Sequence, residues 1–352
     1  MPINASLAQE SNVLLLSTVI LYAIAMLSYA CDFAFAKQRL MAVAAVPELV
    51  GAGVGGPSAP VPGDSGPSVA AVSVAGSTGG GPGAGAGLGD SALPSRWPSG
   101  FWLRLAFGLT CIGLTTHVLA ILTRGLAEHR VPWGNMYEFI GAFTCMAVLV
   151  LVAASIRYRA YYMGLFVLLP VVLGLGVDLT VVYTPAGQLV PALQSYWIAI
   201  HVTAMIVAIG LFIFGAVVTT LYLVADRSER RVAAGLPSWS SGILRHLPLP
   251  AVLDRLSYRS VLFGFPVWTF GVMAGAIWAD HAWGRYWGWD PKETWSFITW
   301  VVYAMFLHAR ATAGWRGRRA AYIHLAGFAC LMFNVVGVNL WISGLHSYAG
   351  LS

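Results

Sequence analysis

The chain has 352 residues, of which 58% are hydrophobic and 10% charged, and its mean hydropathy is +0.73. This composition excludes an ordinary soluble domain and is typical of an integral membrane protein. The formal net charge of +6 does not indicate nucleic-acid binding, because the basic residues lie in short segments between apolar runs. We therefore predict an all-α, polytopic membrane protein that contacts membrane lipid and no nucleic acid.

Eight apolar runs are long enough to form spanning helices, each of which needs about 20 residues. They are approximately Asn12–Ala36, Phe101–Thr123, Met136–Ile156, Tyr161–Val177, Tyr196–Ala225, Tyr258–Asp280, Thr294–Thr312 and Ala321–Trp341. The cysteines, Cys31, Cys111, Cys145 and Cys330, lie singly within these runs, which favours structural thiols over a thiol–disulfide transporter. The runs show no internal repeat of the kind that builds many transporters.

Composition divides the chain into three parts. Residues 1–40 form the first predicted transmembrane helix. Residues 41–98 are rich in Gly, Pro, Ala and Ser, including the run from Gly79 to Gly87, and they predict a disordered cytoplasmic linker. Residues 99–352 form a predicted seven-helix domain with a tryptophan-rich loop at 281–295.

The distribution of basic residues predicts the orientation. With the N-terminus outside, 16 of the 20 Lys and Arg residues fall in inner segments. The other four, Arg124, Arg130, Arg285 and Lys292, fall outside. Both termini and the loop 281–295 are therefore expected on the extracytoplasmic face of the plasma membrane.

The tryptophan-rich loop is the most unusual stretch of the sequence. Six of the fourteen tryptophans lie between positions 278 and 300, namely Trp278, Trp283, Trp287, Trp289, Trp295 and Trp300. Some of these rings could serve as interface anchors, but their alternation with Gly284 and Gly288 suits a flat apolar ligand lying against the backbone. The segment Asp290-Pro-Lys-Glu293 also predicts a helix start, with Asp290 as N-cap and Glu293 at the third position.

The motif Trp287-Gly-Trp-Asp-Pro-Lys-Glu-Thr-Trp295 resembles the WWD signature of the heme-handling proteins of cytochrome c biogenesis, most closely the CcsA/ResC branch of system II. The resemblance implies heme b as the ligand. The residues that would hold it are Trp283, Trp287, Gly288, Trp289, Asp290, Pro291 and Trp295.

Two histidines are expected on the same face as this loop. His201 lies about five residues into the fifth predicted helix, and His346 follows the eighth. Two neutral imidazoles can fill both axial positions of a heme iron. In the family pattern one outer histidine precedes the signature and another follows it, and His201 and His346 match those positions.

His308 is expected near the cytoplasmic end of the seventh helix. Its motif, Leu307-His-Ala-Arg310, resembles the transmembrane histidine that is thought to ligate heme in this family. The second ligand in that pattern comes from a CcsB/ResB-like membrane subunit. We assign His117, His129, His246 and His324 to structure or solvent, whereas His281 borders the loop and could contact a heme propionate.

The segment Val131-Pro-Trp-Gly-Asn-Met-Tyr-Glu138 resembles the family's Pro-x-x-Asn-x-Tyr-Glu pattern between the second and third helices. Asn135 and Glu138 have the spacing of a helix cap. The alternative is that they shape the heme site. Heme carries two propionates, so the four outer cations are also candidates for salt bridges, and the sequence does not choose among them.

The resemblance implies a protein that accepts heme within the membrane and presents it to the Cys-x-x-Cys-His motif of apocytochrome c for thioether formation. Whether the chain is an enzyme or one part of a cytochrome c heme lyase stays open. Three alternatives remain: a CcmC- or CcmF-like heme handler of system I, a b-type heme electron carrier, and a transporter for another flat hydrophobic molecule.

Overall fold

The computed structural model describes residues 3–44, 100–189, 191–236 and 247–346, and all regular structure within these ranges is helical. The described residues up to 36 and from 100 onward belong to one compact unit. Apart from residues 41–44, which end the first helix, the predicted linker 41–98 lies outside the described residues. The predicted all-α class is confirmed.

Eight helices of 15 residues or more follow one another along the described part of the chain. They are α1 (Ala5–Ala44), α2 (Phe101–Glu128), α3 (Met136–Tyr158), α4 (Gly164–Thr180), α5 (Tyr196–Ala233), α6 (Pro250–Trp283), α7 (Pro291–Ala311) and α8 (Arg318–Met332). A π-helical segment at Phe333–Gly337 joins α8 to the short α9 (Val338–Trp341). Short 3₁₀ helices at Tyr161–Met163 and Pro191–Leu193 precede α4 and α5.

Seven of these helical segments are long and apolar enough to cross a membrane, which confirms a polytopic membrane protein. The α8–α9 segment counts as one of them, and α7 is the exception. Although α7 has 21 residues, polar and aromatic side chains such as Thr299, Tyr303, His308 and Arg310 lower its hydropathy. The predicted seventh run, Thr294–Thr312, coincides with α7, and it is the least apolar of the eight predicted runs. Its polarity is tolerated because Thr299 and Tyr303 are buried against other helices rather than exposed.

The predicted start of α7 is confirmed. The carboxylate of Asp290 accepts a hydrogen bond from the backbone N–H of Lys292 at 3.2 Å, and Glu293 accepts one from the N–H of Asp290 at 3.0 Å. This reciprocal arrangement satisfies backbone donors that lack partners at a helix start. Because α6 extends to Trp283, the non-helical stretch is residues 284–290 and is shorter than the predicted loop 281–295.

One end of the bundle contains residues 284–290, and we call it the tryptophan end. The N–H of Asn4 before α1 donates to the carbonyl of Ala127 in the last turn of α2 at 2.9 Å. At the start of α3, the sulfur of Met136 accepts from Nδ2 of Asn339 in α9 at 3.2 Å. The start of α1, the end of α2, the start of α3 and the end of α9 thus meet here, as an alternating up-and-down order requires.

A stripe of glycines on α6 lets α5 approach closely. A Cβ atom at Gly264 would lie 2.8 Å from the ring of Phe212, and one at Gly275 would lie 2.6 Å from Nδ1 of His201. Small residues at such contacts permit close helix packing within a membrane. The stripe therefore positions α6 against the helix that carries His201.

We expect Gly264→Ala to lower the thermal unfolding midpoint of the detergent-solubilised protein. The ring of Phe212 is fully buried and stacks on Tyr303 at 4.1 Å between centroids, so it cannot move aside for a methyl group. Such overpacking costs about 1–3 kcal/mol. Gly176→Ala in α4 is the control, because a Cβ there meets no atom within 4 Å. Equal midpoints for the two variants would contradict the packing argument.

Candidate functional site

A partly open cavity lies at the tryptophan end, between α3, α5, α6, α7 and the α8–α9 segment. It contains about 1040 Å³ of space, including its open mouth. Five tryptophans contribute to its wall: Trp133, Trp268, Trp278, Trp283 and Trp287. A concave site with mostly apolar and aromatic walls and few polar groups is typical of a binding site for a small hydrophobic molecule.

His201 lines this cavity from the second turn of α5. Its Nδ1 lies 2.7 Å from the carbonyl oxygen of Gly271 in α6. A carbonyl only accepts hydrogen bonds, so Nδ1 carries the proton and Nε2 carries the lone pair. The imidazole also stacks on Trp278, with an interplanar angle of 11° and 6.1 Å between centroids. Helix packing thus fixes both the tautomer and the ring plane of His201.

His346 lines the same cavity from the segment after α9. Its Nδ1 lies 2.9 Å from the carboxylate of Asp290. Burial lowers the pKa of His346, and the hydrogen bond to Asp290 offsets only part of that effect. Burial opposes ionisation of Asp290, but hydrogen bonds from His346, Leu345 and Lys292 outweigh it and hold the pKa of Asp290 below its ordinary value. A neutral imidazole beside an ionised carboxylate makes Nε2 the nitrogen with the lone pair.

Trp278 is the aromatic residue that both histidines contact. Its ring is buried, stacks on His201, and meets His346 edge-on at 5.8 Å between centroids. Trp283 contacts His346 as well, at 5.1 Å. The sequence pattern includes Trp278 in the tryptophan cluster but gives it no site role, because it lies inside α6 rather than in the loop.

The loop between α6 and α7 is held by Glu293. Its Oε2 accepts hydrogen bonds from the N–H groups of Gly288 at 2.8 Å and Asp290 at 3.0 Å. Trp289, between them, has φ of 59°, in the left-handed region that bulky residues rarely occupy. Two amides directed at one carboxylate form an anion-binding nest, and this nest explains the strained backbone at Trp289.

The residues expected at the site fall into two groups. Those that line the cavity are Trp283, Trp287, Asn135, His201 and His346. Those that lie outside its wall are Gly288, Trp289, Asp290, Pro291, Trp295, Glu138 and His308. Trp289 is 65% exposed, and Trp295 packs on Phe333 at 4.2 Å between centroids. Asp290 lies outside the wall but forms hydrogen bonds with His346, Lys292 and Glu293, which line the cavity.

Glu138 belongs to a buried ionic cluster with Glu128, Arg124 and Arg130. Arg130 bridges the two glutamates at 2.8 and 2.9 Å, and Arg124 lies 3.0 Å from Glu128. The predicted cap of α3 is confirmed, because the side chain of Asn135 accepts a hydrogen bond from the N–H of Glu138 at 2.9 Å. Two positive and two negative charges balance within the cluster, which braces the segment that brings Asn135 to the cavity.

Part of the cavity lining is polar, and the sequence pattern does not reveal these residues as one surface. It consists of Lys292, Glu293, Ser296, Asn334 and Asn339. Residues five apart point about 140° away from each other on an α-helix. The π-helical segment Phe333–Gly337 adds a residue to one turn, which brings Asn334 and Asn339 to the same cavity.

The other histidines lie elsewhere. His308 is exposed in the last turn of α7, and His281 is exposed with its Nδ1 2.9 Å from the carbonyl of Ile277. His117 and His324 are fully buried. His129 ends α2 with a left-handed backbone, and His246 lies outside the described residues.

Comparisons with known proteins agree with the signature. Residues 107–346 match the cytochrome c assembly protein family. The cytochrome c biogenesis protein CcsA of Gloeobacter violaceus is 35% identical, over 72% of this chain and 91% of its own length. The CcsA of Guillardia theta is also 35% identical, over 70% of this chain and 86% of its own length.

A solved structure shares the fold. It is the cytochrome c heme lyase CcmF, which has a TM-score of 0.57 and 16% identity. The match covers 95% of this chain and 47% of CcmF. The family match and the extent of the CcsA similarity identify the chain as a member of the cytochrome c assembly protein family, with a role in cytochrome c biogenesis.

Proposed function

We propose that this chain binds heme b in the aromatic cavity through His201 and His346 and presents it to apocytochrome c. The observation that carries the proposal is that two imidazoles from distant parts of the chain line one cavity, each with Nδ1 in a hydrogen bond. In both rings Nε2 is then the nitrogen suited to bind iron. The tryptophan-rich wall matches a flat, largely apolar substrate.

The donor set suits heme better than a bare metal ion. Within the described ranges no group of three or more His, Cys, Asp or Glu side chains is arranged to hold a metal ion. Two imidazoles are sufficient for heme iron, because the porphyrin supplies the four remaining nitrogens. Relatives named for cytochrome c biogenesis support the same choice.

The attachment chemistry needs little from the protein beyond positioning. Each thioether forms when a cysteine thiol of the Cys-x-x-Cys-His motif adds across a heme vinyl group. The sulfur bonds to one vinyl carbon, and the proton goes to the other, so no oxidant is consumed. The chain's contribution is to hold the substrate between aromatic walls and to control the iron until the apocytochrome's histidine replaces one ligand.

The orientation and the partner complete the proposal. Most basic residues of the sequence lie in the inter-helix segments predicted at the other end of the helices from the tryptophan end. This excess supports an extracytoplasmic position for the cavity in the plasma membrane. His308 is exposed on α7 at the opposite end from Asp290. A polar side chain on the outside of a bundle is costly in lipid, which favours a covering subunit of the CcsB/ResB type.

The alternatives have less support. A b-type electron carrier would use histidine pairs in register on facing helices. Among the described residues, His324 instead has Nδ1 within 3.0 Å of the hydroxyls of Thr219 and Ser257, and His117 lies 3.4 Å from the hydroxyl of Tyr22. A system I heme handler is disfavoured because the CcsA relatives match over most of their length, whereas CcmF shares only the fold.

We expect His201→Ala and His346→Ala each to weaken heme binding and to change the absorbance of the remaining heme. Each variant removes one axial ligand, so added imidazole is expected to restore the low-spin spectrum. Absorbance of the purified protein measures both effects. His281→Ala is the matched control, because His281 is exposed and does not line the cavity. Unchanged heme content and spectrum in the double variant would eliminate the proposed site.

We expect Asp290→Asn to reduce heme affinity about tenfold, in line with the effect of losing the hydrogen-bond partner of a ligating histidine. Asn still caps α7, so a merely structural role would leave the bound heme unchanged. The heme midpoint potential is the decisive measurement, and it should rise because His346 becomes a weaker donor to ferric iron. Asp280→Asn, at the end of α6, is the control. A potential equal to that of the wild type would contradict this role.

Maturation tests the function as a whole. Expression with a CcsB/ResB-like subunit in a host without its own maturation system should yield covalent holocytochrome c, and expression without the subunit should not. His308→Ala should reduce the yield by about tenfold while heme binding at the purified outer site stays unchanged. Met305→Ala, at an exposed position of the same helix, is the control. Equal yields for His308→Ala and the wild type would contradict the role of His308.

A further inference from the structure

Lys292 is a cation on the cavity wall without a carboxylate partner. It is the second residue of α7, and its Nζ donates to Oδ1 of Asn339 at 3.0 Å. None of the ion pairs among the described residues includes Lys292. The carboxylate of Asp290 is directed to His346 and to backbone amides, and Oε2 of Glu293 is held by the loop. Within the described part of the chain, the neutral oxygen of Asn339 is therefore the acceptor that this ammonium group contacts.

The other three cations predicted at this end do not face the cavity. Arg124 and Arg130 are neutralised by Glu128 and Glu138 in the buried cluster. Arg285 is exposed, and its guanidinium lies beside Gly288. None of these three residues lines the cavity. Among the described residues, Lys292 is thus the candidate that the geometry selects for an anionic ligand.

The neighbours of Lys292 extend the polar wall. Asn339 also donates through Nδ2 to the carbonyl of Val335 at 2.6 Å, which holds its Oδ1 toward Lys292. Asn334 donates to the hydroxyl of Ser296 at 2.9 Å, while its buried Oδ1 has no hydrogen-bond partner. An amide oxygen only accepts hydrogen bonds, so this orphaned atom leaves room for a donor such as water, and the anion-binding group of this wall is the ammonium of Lys292.

Lys292 is half-buried, and an ammonium group that is partly removed from water is costly unless an anion accompanies it. Heme carries its propionates on one edge and its vinyl groups on the other. We propose that Lys292 binds a heme propionate, with Asn334 and Asn339 beside it, and that this contact turns the vinyl edge away from the start of α7. The assignment rests on the proposed heme site. It makes Lys292 the residue that determines which edge of the substrate is presented to the apocytochrome.

The test compares hemin with hemin dimethyl ester, in which both propionates are esterified and uncharged. Titration of the purified full chain, followed by heme absorbance, gives the affinity for each ligand. Lys292→Met removes the charge and keeps a side chain of similar reach, so the empty protein is not destabilised by a buried unpaired group. We expect its hemin affinity to fall about tenfold and its ester affinity to equal that of the wild type.

Two further variants sharpen the comparison. Lys292→Arg keeps the charge and should retain most of the hemin affinity. Arg285→Met removes a nearby exposed cation and should leave the affinities for hemin and for the ester unchanged. Equal losses for hemin and the ester in Lys292→Met, or no loss for either, would overturn the assignment.

Failure of the heme site itself has a different signature. In that case the wild type would bind neither ligand, or His201→Ala and His346→Ala would leave hemin binding unchanged, and the assignment of Lys292 would fall with the site. If histidine variants weaken both ligands while Lys292→Met weakens only hemin, the two roles are separated and both proposals stand.

Discussion

The carboxylate of Asp290 is the contact on which the tryptophan end depends. It accepts hydrogen bonds from Lys292 at the start of α7, from the N–H of Leu345 at 2.7 Å and from the imidazole of His346. One side chain therefore joins the loop, the following helix and the segment after α9. A Cβ at Gly344 would lie 2.6 Å from Oδ1 of Asp290, so glycine is needed there for this approach. Together with the rings of Trp278 and Trp283, the carboxylate of Asp290 positions His346 in the cavity that His201 also lines.

The parts of the fold that the sequence predicts are those with local causes. The apolar runs locate all eight long helices of the described part of the chain, because a membrane span needs about 20 apolar residues wherever it occurs. The Asp290-Pro-Lys-Glu293 start and the Asn135 cap depend on side chains within three residues of the amides they bind. His201 and His346 could be assigned to one end from topology alone. Their hydrogen bonds to Gly271 and Asp290 could not be predicted from topology, because these bonds depend on how the helices pack.

What the sequence does not predict has non-local causes. Trp278 acquires its contacts only when α5 and the C-terminal segment pack on α6. Asn334 and Asn339 line the same cavity because the π-helical segment has one extra residue in a turn. The residue pattern does not predict that π-helical turn. The role of the outer arginines also depends on folding. In the sequence they are equivalent to Lys292, yet the bundle pairs Arg124 and Arg130 with glutamates, exposes Arg285 and leaves Lys292 facing the cavity.

The charged groups of the tryptophan end thus divide into two systems with different consequences. In the Arg124, Glu128, Arg130 and Glu138 cluster each charge has an opposite charge within 3.3 Å, so the cluster is complete without any ligand. At the cavity, the ionised carboxylate of Asp290 is stabilised by hydrogen bonds from His346 and Leu345, whereas the ammonium group of Lys292 donates to an amide oxygen. A scaffold requires the first kind of balance, because unpaired charges would destabilise it. A site for an anionic substrate requires the second, because binding then supplies the missing charge. The same physical rule therefore explains both why the arginines hold the wall and why the lysine faces the ligand.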